Sequence, residues 1–129
     1  MEYKIANDKQ HKIIQAVNNF VKGGDERNTE LLNKVLHPHF RLANDTAAES
    51  PADSIVDKTK YLSLIKEKVY GGLPREIIID QIDEINRIAM VKLFLKSSAL
   101  TFTSFLSLVA DENDEWKILN NLSFIEADK

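Results

Sequence analysis

The chain has 129 residues, no cysteine and a formal net charge of −3, from 17 basic and 20 acidic residues. That length is typical of one domain with a substantial hydrophobic core, so we expect a single domain over residues 1–129. The absence of cysteine excludes disulfides, thiolate metal sites and a cysteine nucleophile, and the interspersed charges disfavour nucleic acid as a partner.

A first helix is predicted over Asp8–Lys22. Asn7 or Asp8 is suited to cap its N-terminus, and Gly23-Gly24 is expected to end it. The apolar stripe of this helix consists of Ile13, Ile14, Val17, Phe20 and Val21. The stripe indicates one face buried against the rest of the protein.

A shorter helix is predicted after Asn28 or Thr29. It ends before Pro38, because a proline disfavours helical backbone at the residue before it. Its apolar stripe consists of Leu31, Leu32, Val35 and Leu36. Phe40–Leu42 then reads as a short strand.

The next stretch is predicted as a loop, a short strand and a third helix. Ala43–Asp53 is polar and rich in turn formers, so we expect a loop over the mouth of a pocket. Ser54–Asp57 is a second short strand. Thr59 caps a helix over Lys60–Val69, which Gly71-Gly72 ends. The residues expected to be buried on this helix are Leu62, Ile65 and Val69, with Tyr61.

From Pro74 onward the apolar spacing changes to two, which predicts strands. Arg75–Asp83 is the first of them, and Glu84–Arg87 turns the chain. Ile88–Lys96 is the next strand, followed by a tight connection at Ser97-Ser98.

A long hairpin closes the chain. Its arms are Leu100–Ala110 and Trp116–Ile125, joined by the polar turn Asp111–Glu115. Strict alternation places five residues of the second arm on one face: Trp116, Ile118, Asn120, Leu122 and Phe124. Helices followed by antiparallel strands, in the order α-α-β-(β)-α-β-β-β-β, indicate an α+β fold.

Three segments carry a resemblance to a known superfamily: Leu36-His37-Pro38, Phe105–Leu108 and Trp116-Lys117-Ile118. From Lys9 to Ile125 the chain resembles the nuclear transport factor 2-like superfamily, especially its bacterial "putative lumazine-binding" and polyketide-cyclase (SnoaL-like) branch. The resemblance implies a cystatin-like cone, in which a curved antiparallel sheet wraps around three helices of the N-terminal half. It also implies an apolar pocket and a homodimer formed through the outer face of the sheet.

The steroid isomerases of this superfamily offer a catalytic template. The resemblance implies an acidic base near the first strand, and an oxyanion hole made by a tyrosine on the first helix and a protonated acid on a late strand. The tyrosine position falls near Val17, and the late strand Leu100–Ala110 contains no acid. We therefore expect no oxyanion hole of this type. The enzyme alternative is a SnoaL-like cyclase, dehydratase or isomerase that uses His39 or Asp45 as an acid–base group.

The histidine pair His37 and His39 is a candidate metal site, since residues two apart on a strand share a face. Catalytic zinc needs three protein ligands, and the remaining histidine, His11, lies on the first predicted helix. We favour a structural role, in which His37 lies at the end of the second helix, where the dipole favours a cation. No metal or cofactor is expected.

The candidate pocket residues are aromatic or polar: Phe20, Arg41, Tyr61, Phe94, Phe102, Trp116, Asn120 and Phe124. Asn120 interrupts an otherwise apolar face, and a buried amide needs hydrogen-bond partners. It either orients a ligand or makes a contact at the dimer interface or to the backbone, and we favour the second interpretation.

The primary hypothesis is a non-catalytic or weakly catalytic domain that binds a small apolar, heteroaromatic or polyketide-like molecule. A protein-interaction module with a closed pocket is a further alternative. No apolar run reaches the ~18 residues of a membrane span, and the N-terminus lacks a signal-peptide pattern. We therefore expect a cytoplasmic protein without a membrane partner.

Overall fold

The computed structural model describes residues 7–46 and 55–127, which form three helices and six strands. In chain order these are α1 (Asp8–Asp25), α2 (Thr29–Val35), β1 (Leu36–Thr46), β2 (Ile55–Asp57), α3 (Lys58–Lys66), β3 (Glu76–Ile85), β4 (Ile88–Lys96), β5 (Leu100–Ala110) and β6 (Trp116–Ala127). The predicted element order and the α+β class are confirmed. None of these helices combines the length and the apolar character needed to cross a bilayer.

The six strands form one curved open sheet in the order β2-β1-β6-β5-β4-β3. Four neighbouring pairs are antiparallel, but β1 and β6 run parallel, with Leu42 opposite Asn121. The prediction of a wholly antiparallel sheet is therefore wrong at this one pair. The core lies between the three helices and the inner face of the sheet, and its largest fully buried side chains include Phe40, Ile13, Leu32, Leu93 and Ile118.

Gly23 and Gly24 lie inside α1 and are buried, so the prediction that they end this helix is wrong. An ideal Cβ at Gly23 would lie 2.7 Å from Cγ of Leu32, closer than real Cβ contacts allow. The missing side chain is what lets α1 and α2 approach each other. The left-handed conformation expected after the helix is taken by Arg27, whose φ is 53°.

A β-bulge at Leu119 changes which side chains of β6 face the core. Leu108 pairs with Ile118 and Ser107 pairs with Asn120, so Leu119 is the extra residue between them. One extra residue reverses the alternation of faces. As a result Asn121 is 7% exposed, whereas Leu122 is 56% exposed.

The strand β1 is longer than the predicted Phe40–Leu42 at both ends. It begins at Leu36, which was predicted on the second helix, and residues 43–46 continue it instead of starting a loop. Parallel pairing with β6 provides backbone partners for this polar stretch: Ala43 lies opposite Leu122, and Asn44 lies opposite Ser123. The rest of the predicted loop and Ser54 lie outside the described residues. The expected Ser54–Asp57 strand is present as β2.

The third helix is capped and ended differently from the prediction. Asp57, not Thr59, is its cap, since its side chain accepts a hydrogen bond from the backbone N–H of Lys60. The helix ends at Lys66, so Val69 lies beyond it and is 60% exposed instead of buried.

Candidate functional site

A cavity of ≈320 Å³ opens between the inner face of the sheet, the helices α1 and α3 and the segment that follows α3. Its apolar lining consists of Phe20, Leu42, Val69, Leu73, Leu95, Leu100, Phe102 and Ile125. Its polar lining consists of Asn44, Tyr61, Tyr70, Arg75, Ser97, Asn121 and Ser123. Such a cavity can hold an apolar body and orient it through a few hydrogen bonds.

A short chain of hydrogen bonds orients Asn121 at the inner wall. The hydroxyl of Ser123 donates to Oδ1 of Asn121 at 3.0 Å, and the hydroxyls of Ser104 and Ser123 are 2.7 Å apart. All three side chains are buried. In this hydrogen bond Oδ1 of Asn121 is the acceptor, which leaves its side-chain NH₂ group as a donor. This NH₂ group has no partner among the described residues and is available to a ligand.

Arg75 forms the charged part of the wall. Its Nε donates to Oδ1 of Asp25 at 2.6 Å, and its backbone N–H donates to Oδ2 at 3.0 Å. The guanidinium carbon lies 4.9 Å from the centre of the Phe102 ring. The Asp25 carboxylate and this aromatic face hold the guanidinium in one orientation. In the described part of the chain, its Nη atoms have no acceptor.

Tyr61 of α3 is 6% exposed and packs against Phe20 and Phe40, with ring centroids 6.2 and 5.4 Å away. Burial raises the pKa of its phenol to about 12, although the nearby Arg75 opposes that shift. The phenol therefore stays protonated at neutral pH and is a hydrogen-bond donor. Its hydroxyl has no partner within residues 7–46 and 55–127.

Gly24 lies beside the two donors Arg75 and Tyr61. An ideal Cβ at this position would be 3.2 Å from Nη2 of Arg75 and 3.6 Å from the hydroxyl of Tyr61. A side chain at Gly24 would therefore occupy the space that both donors border. The glycine keeps this corner of the cavity open.

Three of the predicted pocket residues line the cavity: Phe20, Tyr61 and Phe102. The other five lie elsewhere. Arg41 is exposed and donates to the backbone oxygens of His39 and Phe40, while Trp116 is buried outside the cavity lining.

The remaining predicted pocket residues belong to the outer face of the sheet. Phe94 alternates with the inward-facing Leu93 and Leu95, and so points away from the cavity. Asn120 and Phe124 point outward because of the bulge at Leu119. Their predicted placement on the face of Trp116 is wrong.

Sequence reasoning missed Arg75, Asn121, Ser123 and Asn44 as lining residues. No signal in the sequence reveals a one-residue bulge, so the inward orientation of Asn121 and Ser123 could not be predicted. Arg75 was predicted as the first residue of a strand, but β3 begins at Glu76, so the alternation of that strand does not give the direction of the Arg75 side chain. The partner that fixes Arg75 is Asp25 at the end of α1, and the sequence alone does not show that these two residues are in contact.

Neither predicted acid–base residue reaches the cavity. Asp45 is exposed and lies opposite Phe124, which places it on the outer face. His39 is exposed, and its ring centroid lies 5.5 Å from that of His37. Among the described residues no group of three histidine, aspartate or glutamate side chains is placed to hold a metal ion.

Lysines, not His37, supply the cation at the end of α2. Nζ of Lys58 donates to the backbone oxygens of Asn33 and Leu36 at 3.0 and 3.1 Å. Nζ of Lys117 donates to the backbone oxygen of Lys34 at 2.6 Å. Burial, with the nearby charges of His39 and the lysines, lowers the pKa of His37, which disfavours the predicted cationic role.

Comparison with known families identifies the family to which this chain belongs. The model of the family described as "putative lumazine-binding" matches residues 8–122. The chain belongs to this family. No curated protein matches its sequence.

Solved structures described as NTF2-like share the fold of this chain, which confirms the fold that the sequence predicted. An NTF2-like protein of unknown function from Shewanella baltica superposes with a TM-score of 0.76 at 14% identity, covering 95% of this chain and 98% of that one. A ketosteroid isomerase-like protein from Erwinia carotovora superposes with a TM-score of 0.73 at 10% identity, covering 96% and 99%. At these identities the likeness concerns the fold alone.

Proposed function

We propose that this protein binds a small, largely apolar molecule in the cavity and does not convert it chemically. The observation that carries the proposal is a cavity of ≈320 Å³ with an apolar wall and several inward-facing hydrogen-bond donors. Ligand sites are commonly of roughly 300–1,000 Å³ and have this composition, so the volume suits a compact ligand.

The positions of the two candidate acid–base residues favour binding over catalysis. Asp45 and His39 both lie outside the cavity lining, so neither meets a ligand held there. The donors that do line the cavity, such as the phenol of Tyr61 and the amide of Asn121, hold oxygen atoms without accepting a proton at neutral pH.

A flat ligand with carbonyl oxygens fits this arrangement best. Aromatic rings of Phe20, Tyr61 and Phe102 provide faces on which a planar molecule stacks. The amide NH₂ group of Asn121 can donate to a carbonyl oxygen of the ligand. Lumazine, named in the description of the family, is a planar ring system with two carbonyl groups and is a suitable first probe.

Isothermal titration calorimetry with lumazine and with the neutral aromatic amide 2-naphthamide tests this proposal. Leu100→Trp places an indole in the cavity wall, whereas Ser98→Trp places one on the exposed turn nearby. We expect at least one probe to bind the native protein and the Ser98→Trp variant, and to lose affinity about tenfold or more in Leu100→Trp. Failure of both probes to bind, or equal binding by both variants, contradicts the proposal.

We also propose that a second copy of the chain covers the outer face of the sheet. Phe105 lies opposite Leu122 there, and their side chains are 41% and 56% exposed. Met90 and Ile88 continue this apolar strip along β4, at 50% and 56% exposure. Monomeric proteins rarely expose a contiguous strip of this kind, and a two-fold axis lets it pack against itself.

A further inference from the structure

The charged corner of the cavity has no role in holding a purely apolar molecule. We infer that the ligand carries a carboxylate, which the Nη edge of Arg75 and the hydroxyl of Tyr61 bind together. This inference rests on the proposed function, since it concerns the same cavity. It narrows the ligand to a monocarboxylate with an apolar, preferably planar, body.

The contacts of Arg75 leave one edge of its guanidinium directed to a ligand. One carboxylate oxygen of Asp25 accepts a hydrogen bond from Nε of Arg75, and the other accepts one from its backbone N–H. This carboxylate therefore holds the side chain in place and forms no hydrogen bond with the Nη atoms. Phe102 covers one face of the guanidinium plane. A carboxylate in the plane of the free Nη edge forms short, charge-assisted hydrogen bonds.

Burial strengthens this interaction. The side chain of Arg75 is 15% exposed and that of Asp25 is 14% exposed, so bulk water screens the guanidinium weakly. Within the described lining, Arg75 carries the single formal charge, because Asp25 lies behind it and outside the cavity. An acidic ligand therefore meets the Nη edge of the guanidinium directly, although the Asp25 carboxylate on Nε offsets part of its charge.

Tyr61 and Gly24 complete the corner. The phenol hydroxyl borders the same open space as Nη2 of Arg75, which is the space that a Cβ at Gly24 would occupy. Tyr61 is 6% exposed, and its hydroxyl has no hydrogen-bond partner among the described residues that a ligand oxygen would have to displace. Since no fully buried side-chain nitrogen or oxygen of the described residues lacks a partner, this hydroxyl is accessible from the cavity, where it can donate to a bound carboxylate oxygen.

Calorimetry with two probes of the same shape separates this inference from the proposed function. 2-Naphthoate and 2-naphthamide differ only in the carboxylate and its neutral amide. We expect the native protein to bind the acid about tenfold more tightly than the amide, since charge-assisted hydrogen bonds are roughly twice as strong as neutral ones. Equal affinities, or tighter binding of the amide, overturn the inference and leave the proposed function standing. Failure of both probes to bind overturns the inference, and it contradicts the proposed function as well if lumazine also fails to bind.

Three variants show which side chains create the preference. Tyr61→Phe removes only the hydroxyl, and Arg75→Gln removes the charge and keeps a polar group. Arg41→Gln is the matched control, because Arg41 is exposed and lies outside the cavity lining. We expect the preference for 2-naphthoate to fall several-fold in Tyr61→Phe, to vanish in Arg75→Gln and to persist in Arg41→Gln.

The fold of each variant is followed by circular dichroism, so that unfolding of Arg75→Gln is recognised. If that variant does not fold, Tyr61→Phe decides the inference alone, because it preserves the Asp25–Arg75 pair. Tyr61→Phe retaining the full preference, or Arg75→Gln folding and retaining it, overturns the inference.

Discussion

The hydroxyl of Ser123 donates a hydrogen bond of 3.0 Å to the side-chain oxygen of Asn121, which turns the NH₂ group of that amide toward the cavity. Both side chains face inward because of the bulge at Leu119. Ser104 supports the pair from β5, with its hydroxyl 2.7 Å from that of Ser123. A single extra residue in β6 thus converts two polar residues into part of the cavity wall.

This placement predicts opposite sensitivities for two adjacent asparagines. Asn121→Asp places a carboxylate on the inner face, and we expect a loss of about 2–4 kcal/mol in the free energy of unfolding at neutral pH, because a buried charge without a cation is costly. Asn120→Asp, on the outer face, is expected to change it by about 0.5 kcal/mol or less. Urea unfolding measures both, and a larger loss in Asn120→Asp contradicts the bulge.

Substitutions at two neighbouring glycines are expected to affect different properties, the stability of the fold at Gly23 and ligand binding at Gly24. Gly23→Ala forces a Cβ against Leu32 and is expected to destabilise the fold by about 1–3 kcal/mol. In Gly24→Ala the added Cβ lies 3.2 Å from Nη2 of Arg75, and the gain of about 0.5–1 kcal/mol from replacing a helical glycine offsets that close contact.

Gly24→Ala is therefore expected to remain as stable as the native protein while it binds 2-naphthoate about fivefold or more weakly. Thermal unfolding and calorimetry on the same samples provide the two readings. Unchanged affinity in a stable Gly24→Ala variant contradicts the open corner beside Arg75 and Tyr61.

Tyr61 predicts a loss of stability at alkaline pH. Its pKa is about 12 in the folded chain against an ordinary value of 10.0, so the folded state holds the phenolic proton more tightly than the unfolded state. The resulting stabilisation, about 3 kcal/mol, is complete below pH 10 and declines as the pH rises from 10 to 12.

Tyr61→Phe removes this pH dependence. The difference in absorbance near 295 nm between the native protein and this variant should report one phenol that ionises with a midpoint near 12. A midpoint near 10 for the same phenol shows that it is not buried as described.

The outer-face dimer predicts that Leu122→Asp yields a folded monomer. Light scattering after size-exclusion chromatography is expected to report a dimer for the native chain and half that mass for the variant, since a charge on the apolar strip opposes packing. Glu126→Gln, at the exposed end of β6, is the control and should remain dimeric. A monomeric native chain at micromolar concentration contradicts this proposal.

The end of α2 predicts a stabilising role for one lysine of α3. Lys58→Met removes hydrogen bonds to the backbone oxygens of Asn33 and Leu36, and we expect a loss of about 1 kcal/mol or more. Lys60→Met, also on α3 but exposed, should have little effect on chemical denaturation. Equal losses in the two variants contradict the capping role of Lys58.

The sequence predicts the fold well because periodicity and turn chemistry act over many residues at once. The strand Ile88–Lys96 has its predicted bounds, and the Leu100–Ala110 arm of the hairpin does too. The bulge at Leu119, in contrast, depends on a single residue, which determines the face of the sheet on which every later side chain of β6 lies. The pair Gly23-Gly24 is compatible both with the end of a helix and with a close approach between two helices. Only the packing of Gly23 against Leu32 distinguishes these two roles.

The candidate site is harder to predict than the fold. Phe20, Tyr61 and Phe102 were within reach because large aromatic residues at buried spacing either fill a core or line a cavity in it. The Asp25–Arg75 pair joins residues 50 positions apart, and its geometry depends on how α1 meets β3. Such a contact is a property of the assembled fold and not of any local pattern.

The most direct test of ligand binding in the cavity is the side-chain NH₂ resonance of Asn121 in ¹H–¹⁵N correlation spectra during titration with 2-naphthoate. We predict a saturable shift of this resonance, together with the backbone amides of Leu100 and Ile125, and its loss in Leu100→Trp. Saturable shifts confined to the outer face around Phe105 and Leu122, or no shifts at all, contradict the account.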